Sequence, residues 1–149
     1  MQEKIIGKEI YSITTDIEKL DMEMIHQYLS KESYWAKHIP LHMVKKSIEN
    51  SVNFGIFHEK KQIGFARLIT DKTTMAYMCD VFIIEAYQKK NVSSWLMETM
   101  MNHPELQGLR IWILLTSSAN WLYEKHGFVN PERPELYMEK RNKINYKNV

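Results

Sequence analysis

The sequence predicts an α+β fold: a mixed, mostly antiparallel sheet flanked by helices. Three observations carry this. Strand-like segments run from residue 52 to residue 84, separated only by the polar turns Glu59-Lys60-Lys61 and Asp71-Lys72, as in an antiparallel meander. A helical pattern then leads to the apolar run Leu109–Leu115, which reads as a buried strand and makes one β-α-β unit with the meander. Helical spacing dominates the N-terminal third.

Taken in order, Glu9–Ile13 alternates as a short strand. Met22, Ile25 and Leu29 fall on one face of a helix over Asp21–Leu29, with Asp21 and Glu23 suited to its first turn. Tyr34–Pro40 interrupts the pattern, because the residue before a proline avoids the α region. A second helix follows over Leu41–Glu49, with Val44 and Ile48 on one side. The strands are Val52–Phe57, Gln62–Thr70 and Thr74–Ile84. Val92, Trp95, Leu96, Thr99, Met100 and His103 then keep helical spacing up to Pro104. Ala119–His126 is a short helix closed by Gly127. Leu136–Lys140 reads as a last strand, and Asn142 onward as a polar tail. The expected organisation is one domain over 1–149, with 142–149 frayed.

At 149 residues the chain is long enough to bury a core without staples. Its single cysteine, Cys79, excludes an intramolecular disulfide. No apolar run approaches the ~20 residues of a membrane helix, and Met1-Gln2-Glu3-Lys4 opens no signal sequence. A cytoplasmic setting without a membrane partner is expected. A net charge of +2 with mixed signs argues against nucleic acid. The six histidines and the cysteine fit no zinc spacing, since Pro40 separates His38 from His42, so no metal is expected. Nucleotide-binding glycine motifs and the nucleophile elbow are absent.

Two segments carry chemistry. From Asp80 to Met97 a strand enters a short basic loop that opens a helix. Amides at such a helix start can cradle a phosphate, with Lys89 and Lys90 adding charge. On its own the fragment reads first as a solvated basic loop with a serine-capped helix. From Thr116 to Phe128 a buried strand ends in a polar turn and a helix carrying Tyr123, which alone reads as a core tyrosine.

In this order and spacing the two segments resemble the GNAT-superfamily N-acetyltransferases. Leu122-Tyr123-Glu124-Lys125-His126-Gly127-Phe128 matches the family pattern Leu-Tyr-x-Lys-x-Gly-Phe. Glu85-Ala86-Tyr87 is similar to the lead-in to the family's pyrophosphate loop, and Gln62–Arg67 to its third strand. The resemblance covers roughly residues 52 to 139. The loop departs from the family's Arg/Gln-x-x-Gly-x-Gly/Ala: Gln88 and the small Ser93 fit, but Asn91 replaces the middle glycine and Lys89 stands where glycine is common.

The resemblance implies acetyl-CoA as co-substrate and an amine of a small molecule or peptide as acceptor. It implies that Val81, Phe82 and Ile83 pair with pantetheine. The amides of Gln88, Lys89, Lys90, Asn91, Val92 and Ser93 would hold the pyrophosphate, with Thr116 nearby. Tyr123 would protonate the departing thiolate. Asp80 is either a base or acceptor-orienting group, or a carboxylate bonded to backbone or to an arginine. Tyr34, Trp35 and His38 would line the acceptor pocket, although Trp35 is equally suited to packing. The oligomeric state stays open, with a homodimer compatible. The intact Tyr123 motif favours an enzyme. Lys89-Lys90-Asn91 favours the alternative, a catalytically weakened GNAT-fold CoA-binding or regulatory module.

Overall fold

Short polar turns leave consecutive strands no choice but to pair side by side, and the meander forms as expected. The computed structural model describes residues 1–149. Six strands make one sheet in chain order: β1 (Gln2–Ile6), β2 (Glu9–Thr14), β3 (Val52–His58), β4 (Lys61–Thr70), β5 (Met75–Ile83) and β6 (Ile111–Leu114). All neighbours are antiparallel except β5 and β6. A parallel pair needs a crossover. The helix α3 (Val92–Met101) supplies it, after α1 (Met22–Gln27) and α2 (Leu41–Glu49) and before α4 (Asn120–Glu124).

Asp21 caps α1, its carboxylate accepting from the Met24 amide at 2.9 Å. The expected helix continues past α1 as a π-helical turn over Tyr28–Glu32. Two sequence expectations need correction. The strand β1 was not anticipated, because Glu3 and Lys4 break its apolar alternation; it pairs with β2 through a turn at Gly7, whose φ is +66°. The expected strand at Leu136–Lys140 does not form. Pro134–Leu136 is a 3-10 turn, and past Phe128 the backbone bonds only to itself. Pro131 and Pro134 each remove an amide and fix φ, which turns the segment away from a ladder.

The sheet has a core on each face. One packs α3 and α4 against β2 to β5 around Phe54, Ile56, Leu68, Met78, Leu96 and Tyr123. The other packs α1 and α2 around Ile25, Leu29, Val44, Phe65 and Phe82. A bulge sets the facing of β5. Phe65 pairs with Phe82 but Arg67 with Cys79, so β5 holds one extra residue there, and Asp80 takes φ +52°. Ala76 and Met78 before the bulge therefore share a face with Val81 and Ile83 after it, while Phe82 faces α1 and stacks on Tyr28 at 3.8 Å.

Candidate functional site

The parallel pair β5–β6 is short. Its pairing runs from Met75–Ile111 to Met78–Leu114 and stops, while β5 continues to Ile83. Phe82 and Ile83 therefore keep one backbone edge on β4, Val81 lies in the bulge, and all three leave the other edge free of β6. Gly64 permits the close approach of β4: a Cβ there would sit 2.7 Å from the Phe82 carbonyl oxygen. Past Met78 the strand β5 runs on without β6 toward the loop that follows it.

That loop has the shape of a glycine loop without glycines. Lys89 and Asn91 hold φ at +60° and +61°. Alternation into the left-handed region turns successive amides toward one side, a concavity that suits anions. Asn91 is the N-cap of α3 and makes no side-chain cap bond. The amides of Lys89, Lys90, Asn91, Val92, Ser93 and Ser94 donate to no protein acceptor, so six consecutive N–H groups stand free at a helix start. Gln88 differs from the expectation: its amide donates to the Glu85 carbonyl and its side chain to the Ile83 carbonyl at 2.8 Å, so it anchors the loop to the strand end. Val92 has its side chain in the core and offers only its amide.

Tyr123 on α4 packs in the same core, its ring edge-on to Phe128. Burial, helped by the nearby Tyr34 phenol, pushes its pKa up to about 12. It is a neutral donor throughout the physiological range, and its hydroxyl has no protein partner. His126 Nε2 bonds Ser94 Oγ at 3.1 Å, which ties the end of α4 to the first turn of α3. Thr116 Oγ1 accepts from the Ala119 amide at 3.0 Å and so closes the turn into α4.

The loop between α1 and α2 bonds both to the turn before α4 and to β5. Ser117 Oγ donates to the Tyr34 hydroxyl at 2.7 Å. Trp35 Nε1 donates to Asp80 Oδ1 at 2.9 Å, and Arg67 Nε to Asp80 Oδ2 at 2.8 Å. Arg67 Nη1 also reaches Ser51 Oγ at 3.0 Å. The structure thus brings Tyr34, Trp35 and Asp80 together, with Tyr123 near the Tyr34 phenol. His38 instead lines a groove with His26, Lys31 and Tyr146.

The family model for the acetyltransferase (GNAT) domain matches residues 49–130. A crystal structure of a candidate GNAT-family acetyltransferase from Xanthomonas campestris is 42% identical, with a TM-score of 0.86 over 89% of this chain and 93% of that one. The chain belongs to the GNAT acetyltransferase family. A curated candidate acetyltransferase of Gibberella zeae is 26% identical, over 78% of this chain and 77% of its own. A Clostridium acetobutylicum structure, of a candidate acetyltransferase with acetyl-CoA, shares the fold at TM-score 0.59 and 11% identity, over 88% of this chain and 94% of that one.

GNAT proteins use acetyl-CoA. The free amides at 89–94 and the free edge at 81–83 fit the pyrophosphate and amide-bearing parts of such a molecule, and Lys89 and Lys90 add the charge for it. Sequence reading missed Ser117, Ser94 and His126, whose partners lie far along the chain. Arg67 was legible in part: it stands in the GNAT-like segment Gln62–Arg67, but only the β4–β5 register sets it opposite the Asp80 bulge. No group of three metal-ligating side chains occurs, and no helix is long and apolar enough to cross a membrane.

Proposed function

We infer that this GNAT protein transfers the acetyl group of acetyl-CoA to an amine of a small molecule or peptide. The observation that supports this most is the run of six unpartnered amides from Lys89 to Ser94, beside a strand edge that β6 leaves open. The amides of Lys89 to Ser94 hold the pyrophosphate. The free edge of Val81, Phe82 and Ile83 bonds the pantetheine amides and aligns the thioester along β5. Acetyl-CoA supplies the activated acyl group. The neutral amine attacks the thioester carbonyl; Tyr123, held neutral by burial, delivers its phenolic proton to the sulfur as the carbon–sulfur bond breaks, and the proton shed by the new amide nitrogen passes through water to restore the phenol.

Asp80 acts as a positioning residue. Both its oxygens are engaged, one by Arg67 and one by Trp35, so it fixes the indole that walls the acceptor side. Tyr34, held by Ser117, forms the facing wall. The acceptor amine enters between these aromatic groups and Tyr123. The test is acetyl-CoA-dependent thiol release across a panel of small-molecule and peptide amines. Turnover with at least one amine is expected, and Tyr123→Phe should lower it about 100-fold, the lower range for loss of a general acid, with CoA affinity retained. Absence of CoA binding by the wild-type chain would refute the reading.

A further inference from the structure

Beyond Trp35 the loop between α1 and α2 turns sharply. His38 holds φ at +67°, and its amide donates to the Ser30 carbonyl at 2.8 Å. His38 lines a groove of about 480 Å³ whose walls include none of Tyr34, Trp35, Asp80 or Tyr123. The π-helical turn Tyr28–Glu32 gives that groove Ser30 and Lys31, and the C-terminal turn Tyr146–Asn148 gives it Tyr146 and Lys147. His26 on α1 is fixed beside them, its Nε2 donating to the Ile39 carbonyl at 2.9 Å.

The chemistry of the groove is that of an anion site. Pro40 and Leu41 on its wall are the N-cap and first residue of α2, a helix of nine residues. No side chain caps that end, and the amides of Leu41 and His42 bond to no protein acceptor, so the positive end of the helix is open. Ser30 is only 8% exposed, yet its hydroxyl bonds to no protein atom and stays open to the groove it lines. A buried hydroxyl left without a partner is costly, so this one calls for an acceptor from outside the chain. Lys31 and Lys147 take part in none of the chain's ion pairs, and neither does the terminal carboxylate of Val149. Residues 26–46 hold four lysines against the single carboxylate of Glu32, although the whole chain carries only +2. The positive charge is therefore concentrated here.

We propose that this groove binds a small organic anion, with its carboxylate or phosphate on Ser30, Lys31, Lys147 and the open end of α2. The volume is that of a small-molecule site, roughly 300–1,000 Å³, and exceeds what a bare ion fills. Ile39, Pro40 and Leu41 give part of the wall an apolar surface, which suits a ligand with an apolar body beside its charge. The site goes beyond acetyl transfer and does not depend on it, although His38 shares its loop with Tyr34 and Trp35.

The test uses the full isotope-labelled chain with CoA in excess, so that the amides from Lys89 to Ser94 do not compete for the probes. Benzoate and phenyl phosphate are titrated in, and the backbone amides of Lys31, His38, Leu41 and His42 are followed by NMR, with affinities from calorimetry. Those amides should shift with at least one of the two probes, and the tighter probe names the head group. Inorganic phosphate should bind more weakly than phenyl phosphate, because it leaves the apolar wall uncovered. Ser30→Ala should weaken binding about tenfold, the effect of one hydrogen bond to a charged group. The same change should leave the melting temperature unchanged, since the hydroxyl has no protein partner. Lys31→Gln with Lys147→Gln should weaken binding more at low salt than at high salt. Groove amides that stay unshifted at millimolar benzoate and phenyl phosphate would overturn the proposal. So would an affinity that neither Ser30→Ala nor the lysine pair alters. A chain that fails to bind CoA still reports through the groove amides, so the two readings fail separately.

Discussion

Asp80→Ala should be among the most damaging single changes at the site, and the structure gives its size. The side chains of Arg67 and Asp80 are 14% and 11% exposed, so the pair is largely out of water. Removing one partner of such a pair costs about 3–5 kcal/mol, because the other charge stays buried. Arg67 would keep only Ser51 Oγ at 3.0 Å. The low end applies, since both groups retain some water. Asp80 also holds φ +52°, which aspartate tolerates better than alanine by about 1 kcal/mol. The total is about 4 kcal/mol. Asp80→Asn keeps the φ preference and can still accept from Trp35 Nε1, so its cost should be about half of that. Arg67→Met combined with Asp80→Asn should cost less than Asp80→Ala, because no charge is left behind. Urea unfolding of the wild type, these three variants and Arg67→Met alone, read by tryptophan fluorescence, gives the cycle. A loss below 1 kcal/mol for Asp80→Ala, with no coupling to Arg67, would refute this account of the pair.

Other outcomes follow from the same geometry. The folded-state pKa of Tyr123, about 12, lies above the unfolded value near 10. The stability held by its neutral form is therefore complete below pH 10 and lost as pH rises toward 12; Tyr123→Phe should flatten that alkaline decline by about 2 kcal/mol in pH-dependent unfolding. Lys89→Ala with Lys90→Ala should weaken CoA binding more at low salt than at high salt in calorimetric titration, because exposed charges are screened. Asn91→Gly should hold or improve affinity, since glycine takes φ +61° without strain. Gly64→Ala should lower the melting temperature and weaken CoA binding together, because its Cβ would push the Phe82 carbonyl that borders the free edge.

The parts of the fold legible in the sequence were those written locally. The meander was marked by its polar turns, α2 by Val44 and Ile48 on one face, and Tyr123 by the residues around it. What escaped depends on pairing across the sheet. The strand β1 hides its alternation behind Glu3 and Lys4, since an edge strand is shaped by solvent as much as by the core. The Asp80 bulge and its ties to Arg67 and Trp35 come from a register shift that no local pattern records. At Lys89 and Asn91 the sequence marks a departure from glycine, yet the backbone holds the left-handed turns regardless, because Gln88 pins the loop to Ile83. Leu136–Lys140 reads as a strand by composition, but a strand needs a neighbour, and its own chain does not supply one here.

The central claim is that the amides from Lys89 to Ser94 receive the pyrophosphate of CoA. Titrating CoA into the isotope-labelled protein and following each backbone amide by NMR tests it most directly. The account expects those six resonances to shift, together with Val81, Phe82 and Ile83, and to exchange more slowly with solvent, while the amides of β1 and β2 stay unchanged. CoA binding that leaves the amides from Lys89 to Ser94 unshifted would contradict it.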